Sequence, residues 1–450
     1  MEPHGQGSRH RAIRAAALPI LTGTLALIIG VFAFGDDGGI DVIASIVLAV
    51  ATVAVAIGLT VHRLRVRADP EDPTDVIKLA RRDVIVAGSA AALGALVPAA
   101  VDRIIGPALA EPSHSAHGSG VGAGPDMQHD SDGHQAMTVG EVDHDRNGFN
   151  PTAMLEDWEL GTTSTLPSGQ TLREYLIIAE DRTIEVAPGV FFEAWTYNGR
   201  VPGPTLRAVE GDRLRVQFIN GGSHPHTVHF HGIHSAAMDG VPGQGAGNIA
   251  PGESTVYEFD AFPFGCHLYH CHTTPLKRHI HKGLYGGFII DPDPARHPDQ
   301  LALARTRTLK GARVAGIREL VIVMNGFDTN FDGENEVYAA NTVAFHYANH
   351  PIKVGTHDRV RLYLINLTEF DPLNSLHLHA NFFNYFDHGT TLEPTLRTID
   401  TVSQIQAQRG ILEFSYRGYE PGIYMFHAHQ TEFVELGWMS MFEVVEGRTT

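Results

Sequence analysis

Three stretches near the start of the chain carry no charged residue: 15–35, 42–61 and 84–101. The first two are each about twenty residues long, enough for a helix to cross the roughly 30 Å hydrocarbon layer of a membrane. The turn between them holds Asp36 and Asp37. Arg9, Arg11 and Arg14 precede the first stretch, and Arg63, Arg65 and Arg67 follow the second. Basic flanks stay in the cytoplasm, so the acidic turn faces outward. The third stretch is rich in Ala and Gly, contains Pro98 and follows Arg81-Arg82. It reads either as a third span or as a twin-arginine signal, and either sends the remaining chain across the membrane. Residues 1–105 are therefore expected to be a cell-membrane segment with the rest on its extracytoplasmic side.

After about residue 165 the pattern changes to short runs that alternate apolar and polar positions, separated by Gly, Pro and Asn turns such as Asn198-Gly199-Arg200-Val201-Pro202-Gly203-Pro204. Alternation of period two predicts half-buried strands, and no long amphipathic helix interrupts them. The pattern also repeats. Asp212-Arg213-Leu214-Arg215-Val216 leading to Phe218-Ile219-Asn220 recurs as Asp358-Arg359-Val360-Arg361-Leu362 leading to Leu364-Ile365-Asn366. Gly265 to His272 likewise matches Gly422 to His429. The expected fold is all-β, with two similar Greek-key barrels or sandwiches at 165–293 and 315–447.

Between membrane segment and barrels, residues 106–164 read as a flexible linker. Its Gly-, Ser- and Asp-rich part carries His114, His117, His129, His134 and His144 among Met127 and Met137. Such a composition cannot bury enough apolar surface to fold alone. The whole chain, 450 residues with 43% hydrophobic content, has material for two or three cores. A net charge of -18 argues against nucleic acid as a partner. The 27 histidines are the compositional oddity, and the two cysteines, Cys266 and Cys271, do not amount to a disulfide framework. Cys266 reads as a small buried thiol.

The candidate chemistry centres on His270-Cys271-His272. In a strand, successive side chains point to opposite faces, so Cys271 faces one way and both histidines the other. One backbone can thus hold a thiolate-bound copper on one side and imidazole-bound coppers on the other. Three further His-x-His pairs, His229/His231, His377/His379 and His427/His429, bring the imidazoles to eight. Structural zinc sites close with four ligands and do not call for eight. A blue copper site needs two imidazoles, a thiolate and a weak axial partner. Cys271 supplies sulfur, His224 and His226 are the upstream imidazole candidates, and His279 or His281 the downstream ones.

His226-Thr227-Val228-His229-Phe230-His231-Gly232, the His-Cys-His tripeptide and His279 followed five positions later by Leu284 resemble the motifs of the multicopper oxidases, over most of residues 190–447. The resemblance implies two cupredoxin domains and about four coppers per subunit. Type 1 copper would take His226, Cys271 and His279, with Leu284 as a non-coordinating axial residue. Type 2 copper would take His229 and His377, and the type 3 pair His231, His270, His272, His379, His427 and His429. The second domain keeps only cluster histidines: Asn374, Ala428, Phe433 and Trp438 stand where a blue site would need its ligands. That pattern resembles two-domain laccases with type 1 copper in the first domain, which implies a homotrimer with clusters at its subunit interfaces.

By the same resemblance dioxygen is the acceptor, and the donor is a phenol or a metal ion such as Cu(I), Fe(II) or Mn(II). Asp239, in Met238-Asp239-Gly240, matches the family's acid beside the cluster, and Glu432, three residues after His429, is a second candidate for proton supply. One departure favours an alternative reading, copper nitrite reductase: His279 follows Cys271 by eight positions, a longer loop than laccases have, and the loop carries Lys277 and Arg278. His229 stands where the reductase pattern has Asp. A copper-binding or electron-transfer protein without catalysis is the third class, in which eight further histidines are surplus. Asp328-Thr329-Asn330-Phe331-Asp332-Gly333 resembles the opening of a calcium loop, but Ala339 occupies the position of the closing Glu, so it reads as a polar surface loop.

Overall fold

The computed structural model describes residues 140–449; the expected spans at 15–35, 42–61 and 84–101 and the linker up to residue 139 lie outside them. Among the described residues no helix is long and apolar enough to cross a membrane.

Two β-sandwiches follow one another, with a mostly β, cupredoxin-like architecture. In the first, one sheet runs Trp158–Glu159, Thr205–Val209, Tyr285–Asp291, Gly265–His270, His229–Phe230. The other runs Thr162–Thr165, Thr171–Ala187, Arg213–Asn220, Ser254–Asp260, with Val190–Tyr197 also pairing to Thr171–Ala187. The second sandwich repeats this plan. Its sheets run Val337–Ala340, Ile317–Phe327, Arg359–Asn366, Arg409–Ser415, Phe383–Asp387, Leu396–Ile399, and Ile352–Gly355, Met439–Val445, Gly422–His427, Leu373–Leu378, Thr401–Ile405.

The repeated sequence blocks occupy equivalent strands, and the register matters for function. His229 pairs with His270 in the first sandwich, and His377 with His427 in the second. Each His-x-His pair is thus set against its partner pair by ladder hydrogen bonds. Alternation does the rest: in Arg213–Asn220 the buried positions are Leu214, Val216, Phe218 and Asn220, every second residue.

Each sandwich has its own core, and a third apolar cluster joins them, with Ile184, Phe192, Val201, Leu268 and Ile289 packed against Val321, Val323, Phe327, Tyr363 and Ile365. A buried ionic cluster lies across the same junction. Arg207 pairs with Asp291 at 2.8 Å and with Glu319 at 2.8 Å, while Arg361 pairs with Glu319 at 3.0 Å and with Glu413 at 2.7 Å. The two sandwiches are therefore fixed to each other by apolar packing and by charges that, Glu413 apart, are buried from water.

The linker expectation requires correction over residues 140–164. This segment forms the short helices His144–Asn147 and Pro151–Met154 and the strands Trp158–Glu159 and Thr162–Thr165. Asp143 and Asn150 cap the two helices with their side chains, and Phe149, Met154 and Leu155 are buried. Trp158 packs edge-on against Tyr363 with the Arg207 guanidinium 4.7 Å from its ring. A few well-placed apolar anchors suffice when sheet edges of the barrel are there to receive the chain, whatever the average composition.

Candidate copper centres

The first centre lies inside the first sandwich. Cys271 directly follows the Gly265–His270 strand, His226 precedes the His229–Phe230 strand, and His279 is carried by the helix Leu276–His281. His226 Nδ1 lies 3.2 Å from His279 Nδ1, which lies 3.3 Å from Cys271 Sγ, and all three residues are buried. Burial pushes the His226 imidazole down to about 3 and that of His279 to about 4, so both present lone pairs at neutral pH. Three electron-pair donors facing one another in an apolar pocket fit a bound cation, and one thiolate with two imidazoles suits copper.

Of the upstream candidates it is His226, not His224, that joins this group. His281 is engaged elsewhere: its Nε2 accepts a hydrogen bond from the Asp328 N–H at 3.0 Å. Leu284 is fully buried in the same core as Cys271, and its carbonyl accepts the Cys271 N–H at 2.9 Å. The Thr227 N–H donates to Cys271 Sγ at 3.3 Å, which stabilises charge on sulfur. Trp195 was not singled out by the sequence, yet its ring centre lies 4.7 Å from that of His279 and 5.1 Å from that of His226. The Arg278 guanidinium also lies over the Trp195 ring, 5.2 Å from its centre. Beside this helix a cavity of about 620 Å³ is lined by Lys277, Arg278, His281, Lys282, Phe331 and Phe370, among others.

The second set of donors lies across the strand from Cys271. His231 Nε2 lies 2.9 Å from His270 Nε2, and His229 stands 5.1 to 5.3 Å, ring centre to ring centre, from His231, His270 and His272. Burial drives His270 to about 3 and His231 to about 2. Backbone carbonyls set the tautomers. His270 Nδ1 donates to the Cys271 carbonyl at 2.8 Å and His229 Nδ1 to the Asp239 carbonyl at 2.7 Å, so a carbonyl fixes each hydrogen on Nδ1 and leaves Nε2 to bind metal.

The second sandwich repeats the arrangement. His379 Nε2 lies 2.8 Å from His427 Nε2, His427 Nδ1 donates to the Ala428 carbonyl, and His377 Nδ1 is held by Thr401 Oγ1 at 2.8 Å. Its ring centre stands 5.3 Å from that of His429. His379 and His429 are exposed. Among the described residues no hydrogen bond or ring contact joins these histidines to those of the first sandwich. One chain therefore presents two half-sets of imidazoles, each ordered and each incomplete.

Asp239 sits where the sequence suggested, its Oδ1 3.0 Å from His229 Nδ1 and 3.5 Å from His234 Nε2. His234, absent from the sequence reading, completes a third small donor group with His229 and Asp239. Glu432 lies exposed on the helix Thr431–Glu435 and touches none of these histidines within the chain's described residues. The Asp328–Gly333 loop departs from a simple surface loop, since Asp328 is buried and approaches Asp332 and Glu336. Its carboxylates are occupied by N–H groups of the loop itself, from Thr329, Asp332 and Gly333. In the second sandwich Asn374, Ala428, Phe433 and Trp438 are all buried and form no blue-copper donor set. Cys266 is a free, fully buried thiol that burial pushes up to about 12.

Comparison with known proteins agrees with this geometry. Two family models described as multicopper oxidase match residues 179–295 and 320–448. A solved structure titled as that of a multicopper oxidase is 54% identical, with a TM-score of 0.62, covering 68% of this chain and 100% of that one. The chain belongs to the multicopper oxidase family, whose members bind several coppers at type 1, type 2 and type 3 sites.

Curated relatives are split in their names. A probable nitrite reductase-hydroxylamine oxidoreductase fusion protein of Kuenenia stuttgartiensis is 29% identical over 60% of this chain and 31% of its own length. A copper-containing nitrite reductase of Neisseria gonorrhoeae is 37% identical over 25% and 28%. Laccase-2 of Botryotinia fuckeliana is 38% identical over 28% and 22%. The chain thus spans about a third or less of the length of these three curated relatives.

Proposed function

We propose that this protein is a membrane-tethered, laccase-like oxidase that couples one-electron oxidation of a reducing substrate to reduction of dioxygen to water. The observation that carries the reading is the position of one strand end. Cys271 belongs to the donor group with His226 and His279, while its neighbour His270 belongs to the group with His229 and His231. Copper in the first group would supply one-electron redox chemistry, and copper in the second would pass electrons on to dioxygen, the four it needs being drawn one at a time from the reducing substrate. His226, Cys271 and His279 would hold type 1 copper, with Leu284 excluding a fourth donor. His229 and His377 would hold type 2 copper, and His231, His270, His272, His379, His427 and His429 the type 3 pair.

The residues' own contributions follow. The Cys271 backbone links sulfur to both flanking imidazoles, and the hydrogen bond from His270 Nδ1 to the Cys271 carbonyl adds a second short link. Asp239, hydrogen-bonded to His229, is placed to hand protons toward the cluster, with Glu432 as the second candidate. The aromatic and cationic walls of the 620 Å³ cavity, Phe331, Phe370, Lys277 and Arg278, suit a phenolic donor docking near His279. The two incomplete half-sets support a homotrimer in which the first sandwich of one subunit faces the second sandwich of the next. The uncharged stretches at 15–35 and 42–61 support a tether that leaves both sandwiches outside the cytoplasm.

Nitrite reduction is the second reading, favoured by the long Cys271 to His279 loop. The deciding experiment supplies one electron donor to copper-loaded protein and measures oxygen uptake and nitrite consumption side by side. The oxidase reading expects oxygen uptake without nitrite loss; the reverse would overturn it.

A further inference from the structure

A third group of histidines lies outside both copper centres. His346 and His350 sit one turn apart on the helix His346–Asn349 and its C-cap, in the second sandwich. His144 reaches them from the short helix His144–Asn147 of the N-terminal segment, some two hundred positions earlier. The ring centres of His144 and His346 are 5.2 Å apart, and those of His346 and His350 are 4.8 Å apart. Imidazoles that share one ion at metal–nitrogen distances of about 2.0–2.1 Å place their ring centres about 5 Å apart. The pairs in the copper centres show the same spacing, 5.0 Å for His231 and His270 and 4.9 Å for His379 and His427.

The hydrogen bonds leave one nitrogen of each ring available. His350 Nε2 lies 3.0 Å from the Glu141 carboxylate, which can only accept, so Nε2 carries the hydrogen and Nδ1 the lone pair. His346 Nε2 is held by Thr152 Oγ1 at 2.8 Å, again leaving Nδ1. His144 Nδ1 is buried with no hydrogen-bond partner at all. A buried imidazole nitrogen without a partner costs free energy that a metal would recover. A carboxylate behind one imidazole is the usual device for orienting a metal-bound ring.

We propose that His144, His346 and His350 bind one divalent ion that favours imidazole, Zn²⁺ or Cu²⁺, clasping the N-terminal segment to the second sandwich. The segment already bridges both sandwiches: Asn147 Nδ2 donates to the Glu185 carbonyl at 3.0 Å, and Tyr347 Oη donates to the Pro151 carbonyl at 2.6 Å. Burial and the neighbouring His350 lower the basicity of His144, and burial with His350 and His144 lowers His346 to about 3, so protons compete weakly for these nitrogens. The inference is independent of the oxidase reading, since none of these residues belongs to the copper centres.

The test titrates Zn²⁺ into the full-length, copper-loaded protein and counts zinc retained after gel filtration. One zinc per chain is expected, with the affinity falling at least about tenfold in H350A and several-fold in E141Q. His350 is exposed, so H350A leaves the fold intact. H388A, at a half-exposed histidine elsewhere, should bind zinc as the wild type does. Zinc should also slow trypsin cleavage after Arg146 in the wild type and not in H350A. Titration with Cu²⁺ then distinguishes the two ions by competition. Absence of zinc binding in protein that carries no copper beyond the about four of the centres, or zinc binding unchanged in H350A, would overturn the site, and cleavage at Arg146 unaffected by zinc would overturn the clasp.

Discussion

Replacing Glu319 by Gln removes one negative charge from the ionic cluster between the sandwiches. Glu319 Oε1 accepts from Arg207 at 3.2 Å, from Arg361 at 3.0 Å and from Tyr363 at 2.9 Å, and Oε2 meets Arg207 at 2.8 Å. The side chains of Arg207 and Arg361 are 1% and 0% exposed. With the carboxylate gone, Arg207 keeps only Asp291 and Arg361 only Glu413, and since buried Arg307 also leans on Glu413 at 3.6 Å, three guanidinium groups face two carboxylates. Breaking a buried pair from one side costs about 3–5 kcal/mol. At about 2 °C per kcal/mol for a protein of this size, calorimetry of the copper-loaded protein should show E319Q melting roughly 6–10 °C lower. E393Q, which breaks the exposed Arg397 pair, should shift melting very little.

The effect is pH-dependent in a defined direction. Burial pushes the Glu319 carboxyl up, but Arg207 and Arg361 outweigh it and hold the group below its usual range. Its contribution is therefore complete above the unfolded carboxylate pKa and is lost as pH falls through the lower folded value. The gap between wild type and E319Q should narrow below about pH 4. Equal melting of the two proteins at neutral pH would refute the claim that this cluster holds the sandwiches in their mutual orientation. That orientation matters for function, since it keeps the two half-sets of imidazoles apart within a chain.

Further substitutions probe the centres themselves. C271S should abolish the blue band and oxygen uptake while leaving the near-ultraviolet band of a bridged copper pair, and retained turnover would exclude sulfur as the electron entry point. D239N should lower oxygen reduction about 10²-fold or more with the blue band unchanged, as expected for loss of a proton donor. W195A, beside both type 1 imidazoles, should shift the potential and visible spectrum of the blue site; an unaltered spectrum would show that the ring contacts at 4.7 and 5.1 Å do not constrain those ligands.

Much of the site was legible because its chemistry is compressed into short motifs. His-x-His pairs and the His-Cys-His tripeptide state their own geometry once they are placed on strands, and the duplication announces two sandwiches. The choice of His226 and His279 over His224 and His281 came from the resemblance, and the ring positions agree with it. Features assembled from distant residues were hidden. Arg207, Asp291, Glu319 and Arg361 each look like the polar side of an alternating strand, and only the meeting of two sandwiches turns them inward. Trp195 and His234 carry no motif. The segment 140–164 looked like tether because its average polarity concealed Phe149, Met154, Leu155 and Trp158. His144 was read as one of several scattered linker histidines, whereas the fold brings it to His346.

Mixing two inactive variants tests the shared cluster most directly. One variant carries H229A and H231A, the other H427A and H429A; each is refolded alone or together with the other, loaded with copper, and examined for the near-ultraviolet band and oxygen uptake. If neighbouring subunits each supply half of a cluster, random mixing should rebuild roughly a quarter of the interfaces, with activity in proportion. Mixtures as inactive as the separate variants would contradict a cluster built across subunits.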